Sequence, residues 1–144
     1  STTKMKYEYL KDLTSDVAFK AYGETLSDCF VHSAEALMGI MCEIKEISPS
    51  KRIVLTAKGE DERDLLFNFL QEIIAAVEIE GFFFSEFKIK NMGTTEITVE
   101  CYGEEINPEK EAVHVKALTN YLFNLEKETV ENKEQWIATI SVDI

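Results

Sequence analysis

Two carboxylates and a chain end are the groups of this sequence best suited to chemistry. Asp16 stands in a segment that otherwise alternates apolar and polar residues, beside the small, oxygen-bearing Thr14 and Ser15. Asp143 is the penultimate residue, and the carboxylate of Ile144 follows at once. Anionic groups this close repel one another unless a proton or a cation lies between them. Hard divalent ions such as Ca²⁺, Mg²⁺ or Mn²⁺ take all-oxygen ligation of this kind. Two readings stay open: a divalent-metal site, or merely solvated acids. Nothing in the spacing brings Asp16 near Asp143.

Other familiar chemistry is poorly supported. The two histidines, His32 and His114, each lie inside a regular element and suggest no dyad, so structural or solvent-facing roles suit them better. Neither of the standard glycine-rich phosphate loops occurs, and no G-x-S-x-G elbow is present. Cys29 falls on an apolar helical stripe and Cys101 in a strand alternation, which favours burial as small hydrophobes over nucleophilic work. The run Phe82-Phe83-Phe84 reads either as an exposed binding surface or as a strand buried on both faces, and burial is the better reading. An enzyme built on a known nucleophile or base is therefore not expected, and a metal-dependent activity of its own is the weaker alternative.

The charge balance narrows the partners. Fifteen Lys and Arg against 27 Asp and Glu give a net charge of −12 over 144 residues. Such a surface repels phosphate backbones, so direct, stable nucleic-acid binding is not expected; basic partners and metal cations are favoured. Three cysteines at wide spacing form neither a disulfide framework nor a zinc motif, and they suit a reducing, cytoplasmic setting. No apolar run approaches the roughly 20 residues that span a bilayer. Charged residues from Lys4 to Asp12 interrupt any signal-peptide core. Residues 1–4, ahead of Met5, are given no role, and 5–144 are read as one domain.

Periodicity supplies the elements that must hold the two acids. Val17, Phe19 and Ala21 alternate as a strand ended by Gly23. Leu26, Cys29, Phe30, Ala34, Leu37, Met38 and Met41 recur at helical steps behind a Thr25 cap. A strand over Arg52–Ala57 precedes a second helix, from about Glu60 to Val77, with a strong apolar stripe. Strands follow at Phe82–Lys90 and Thr94–Tyr102, joined at Asn91-Met92-Gly93, and at Val113–Leu125 and Gln135–Ile144, with a turn at Asn132-Lys133. The order predicts an α+β domain in which two amphipathic helices pack on a mainly antiparallel β-sheet.

A resemblance then joins these segments. Asp12-Leu13-Thr14-Ser15-Asp16-Val17 followed by Ala21-Tyr22-Gly23 resembles the opening motif of the archease family. Glu78-Ile79-Glu80-Gly81-Phe82, Phe84-Ser85-Glu86-Phe87, Gly103-Glu104-Glu105 with Asn107-Pro108-Glu109, Val115-Lys116-Ala117-Leu118-Thr119 and the ending Val142-Asp143-Ile144 are similar to the family's later motifs, in the same order. The resemblance implies an archease-like fold and an accessory role, as an activator of an RtcB-type RNA ligase of tRNA splicing. It implies promotion of the ligase's metal-dependent guanylylation and of its multiple turnover. It also implies a divalent-metal site of Asp16, Asp143 and Ile144, and it leaves Asp12 and Lys116 as candidates for partner contact. For Lys116, a reach to a phosphate or acidic group and a solvated surface role are equally open. Leu13 and Asn120 stand where the family often carries His. The alternative function is a chaperone-like adaptor of a tRNA-modifying enzyme, which would need an exposed apolar face.

Overall fold

The computed structural model describes residues 5–10 and 17–144. Seven strands and two helices follow in the order β1 (Tyr7–Leu10), β2 (Val17–Gly23), α1 (Leu26–Met41), β3 (Lys51–Lys58), α2 (Glu62–Glu80), β4 (Phe82–Met92), β5 (Glu96–Glu105), β6 (Ala117–Val130) and β7 (Lys133–Asp143). The α+β class is as the sequence predicts, and every ladder is antiparallel. The strands form two sheets, however: a four-stranded one in the order β1-β2-β7-β6 and a three-stranded one in the order β3-β5-β4.

Two helices can serve two sheets because each straddles both. α1 packs on β2 and β4, and α2 packs on β3 and β6. Their apolar stripes meet where Phe30 stacks on Phe69, with ring centroids 5.7 Å apart. Both rings are buried, within one core fed by both sheets. The helix ends follow local chemistry. Thr25 and Asp61 act as N-caps, accepting from the backbone N–H groups of Asp28 and Asp64. Gly81 ends α2 at φ 68°, a left-handed conformation that glycine adopts without a Cβ penalty.

Four details differ from the sequence reading. β1 was not expected; it is a short edge strand whose Tyr9 hydroxyl donates to the Ala36 carbonyl of α1. Val113–Lys116 is not strand: just before it Ala112 N–H donates to Met41 O at the end of α1, and the segment meets β7 only at its last residue, where Lys116 N–H donates to Asp143 O. The β6–β7 turn falls on Glu131 and Asn132, at φ 53° and 67°, one residue earlier than predicted. The β4–β5 connection instead falls later than predicted, at residues 93–95, where Gly93 N–H donates to Glu96 O. In the aromatic run, Phe83 and Phe84 are both buried and Phe82 is half-buried.

Candidate functional site

Asp143 closes β7, a strand flanked by β2 on one side and β6 on the other. Its carbonyl accepts from the Lys116 N–H at 2.8 Å, and it pairs across the ladder with Ala117. Its side chain is exposed, as are Ile144 and Lys116. The structure thus places Lys116 and Asp143 on neighbouring segments at one end of the four-stranded sheet, held there by a main-chain bond. Asp12 and Asp16 lie outside the described residues. Val17, which follows Asp16 in the chain, pairs with Val142, which precedes Asp143. Among the described residues, no group of three or more His, Cys, Asp or Glu could hold a metal ion.

A hydroxyl that the sequence reading passed over fixes this edge. Ser141 is fully buried. It shares a hydrogen bond with the Thr119 hydroxyl, and it accepts from Leu122 N–H at 3.0 Å while donating to Leu122 O at 3.1 Å. These bonds pin an irregularity in β6. Thr119 pairs with Ser141 and Phe123 with Ile140, so residues 120–122 loop out of the ladder and Tyr121 is 62% exposed. Leu118 and Phe123 both face the core although they stand five positions apart, an odd step that regular alternation would send to opposite faces, so the alternation must slip. Ser141→Ala should cost about 1–3 kcal/mol, since it strands two part-buried backbone groups. Urea denaturation checks this; an unchanged midpoint would show that the loop holds without the hydroxyl.

The remaining sequence candidates are structural. Burial pushes the thiols of Cys29, Cys42 and Cys101 up to about 12, so they stay protonated and unreactive near neutral pH. His32 directs Nδ1 at the Tyr22 carbonyl, which can only accept, so that nitrogen carries the proton. His114 Nε2 lies 3.2 Å from Glu78 on the surface. The Gly103-to-Glu109 segment is bracing: Lys110 bridges Glu104 at 2.8 Å and the Glu46 carbonyl at 2.9 Å, and Asn107 caps the turn after it.

The comparisons with known proteins agree with this layout. The Archease protein family matches residues 7–144. The chain belongs to the archease family. The archease of Pyrococcus furiosus is 32% identical over 136 residues, covering 91% of this chain and 94% of that one. Among solved structures, the solution structure of Methanobacterium thermoautotrophicum protein 1598 superposes with a TM-score of 0.79 at 25% identity, covering 96% of this chain and 99% of that one. A crystal structure from Thermotoga maritima, described as an archease and possible chaperone, shares the fold with a TM-score of 0.61 at 19% identity, covering 99% and 100% of the two chains. Among the described residues, no helix is long and apolar enough to cross a membrane.

Proposed function

We propose that this archease is an accessory protein of an RtcB-type RNA ligase, promoting the ligase's guanylylation and its repeated turnover. Family membership across residues 7–144 carries the reading. The register that pairs Val17 with Val142 supports treating Asp16 and Asp143 together as one functional edge. Their donor set, two carboxylates with a main-chain oxygen of Ile144, fits a hard divalent cation. Such an ion, when bound, would supply positive charge beside nucleotide phosphates.

The chain's own residues then have separable tasks. Ser141 and the Lys116–Asp143 main-chain bond hold the edge in register, so that the Asp143 carboxylate is presented to a partner without reorganisation. Lys116 adds a cation on the adjoining chain, able to meet a phosphate or an acidic group. The net charge of −12 favours approach to a ligase whose RNA-binding surface is basic. The chaperone-like reading draws on the description of the Thermotoga protein. Burial of Phe83 and Phe84 withdraws the apolar face that the aromatic run would have offered it.

Guanylylation of the ligase from GTP under limiting metal, with and without this protein, tests the proposal. The expected result is faster and more complete formation of the ligase–GMP adduct. No stimulation by the folded protein, with a ligase from the same organism, would overturn it.

A further inference from the structure

The β6–β7 ribbon outruns the rest of its sheet. β2 stops at Gly23, opposite Trp136, whereas the β6–β7 ladder continues to the Val130–Lys133 pair. Among the described residues, β7 therefore has no strand on its β2 side from Lys133 to Gln135. That position is vacated because the chain turns after Gly23 into α1, where Thr25 caps the helix.

Two adjoining clefts of about 390 and 280 Å³ lie at this end, and both are lined by Met5, Tyr22 and Gln135. Met5 and Val130 are 57% and 47% exposed, so the clefts offer accessible apolar surface among polar residues. Acids outnumber cations on the rim: Glu24, Asp28, Glu131 and Glu134 stand there with Lys6 and Lys133. Glu134 also pairs with Lys127 at 3.1 Å, an exposed contact that a stronger cationic partner can displace. Burial and then the neighbouring Glu8 and Glu128 raise the Tyr22 hydroxyl, a further sign of local negative potential.

We propose that this end of the sheet docks an extended, lysine- or arginine-bearing segment of a protein partner, in the strand position that β2 leaves open beside residues 133–135. An unpaired edge offers main-chain hydrogen bonds, and a strand's alternating side chains would meet the apolar walls and the acidic rim in turn. Nucleic acid is disfavoured by the same acids. The site lies at the far end of the 11-residue β7 from Asp143, roughly 34 Å away at strand rise, and it does not rest on the ligase reading.

The test is fluorescence anisotropy at physiological salt, using a labelled eight-residue peptide of alternating Lys and Val and its Glu–Val counterpart. The Lys–Val peptide should bind and the Glu–Val peptide should not. E131K/E134K should weaken binding by about tenfold or more. E72K/E80K, at exposed sites on α2 and with the same change in net charge, should weaken it by less than about threefold. Equal losses in the two double variants would reduce the effect to general attraction and overturn the proposal, as would equal binding of both peptides. Self-association of the free protein that E131K/E134K abolishes would give the cleft to a second copy and overturn it too.

Discussion

Asp143→Ala is expected to bring stimulation of the ligase down to the level seen without the protein, while the fold survives. Asp143 is exposed, and the bond that anchors it comes from its carbonyl to the Lys116 N–H, which any residue can keep. The substitution removes no core contact, so the melting temperature should stay within about 3 °C of wild type. What it removes is one of two side-chain carboxylates assigned to the cation, and hard divalent ions held by few protein ligands lose affinity steeply with each anionic oxygen. Asp143→Asn keeps the shape and removes the charge, so it should match Ala; Asp143→Glu should recover part of the activity. Calorimetric titration with Mn²⁺ gives a second readout, in which wild type should bind and the Ala and Asn variants should not. Stimulation by Asp143→Ala equal to that of wild type would remove this edge from the mechanism.

Much of this layout was legible because it depends on local period. The stripe from Leu65 to Val77 could only be a helix, and the alternation through Trp136, Ala138, Ile140 and Val142 fixed which face of β7 meets the core; the last three are fully buried. The division into two sheets was not legible. A strand's alternation says which face is buried, but not which partner lies beside it, and β7 pairs with β2 across more than a hundred intervening residues. The same limit applies to the two acids. Spacing alone does not bring Asp16 near Asp143; the resemblance named them together, and the pairing of Val17 with Val142 links the residues next to them in the chain. Ser141 escaped notice for a different reason. On a strand with its neighbours facing inward it reads as solvated, yet the looped residues 120–122 bury it completely.

Gly103→Ala should be the most damaging single-methyl change in the chain. Gly103 lies in β5, the central strand of its sheet, and pairs with Lys51 on one side and Phe84 on the other. A Cβ built there would sit 1.9 Å from the Phe83 carbonyl oxygen and 2.8 Å from both the Phe83 carbonyl carbon and the Phe84 Cα. Those are backbone atoms, so no rotamer change relieves the clash. β4 must move away from β5 at the point where the ladder already shifts register, between Phe84 and Glu86. Phe83 and Phe84 are buried and would move with it, and Ile106 N–H would strain its bond to Gly81 O at the end of α2. Overpacking of a core commonly costs about 1–3 kcal/mol, and with immovable neighbours the expected loss is at the upper end or beyond. Chemical denaturation of Gly103→Ala beside Gly93→Ala makes the comparison, since a Cβ at Gly93 meets nothing within 4 Å. Equal stability of the two variants would show that β4 yields freely at its bulge, and that the glycine shared with the family's loop motif is not there for packing.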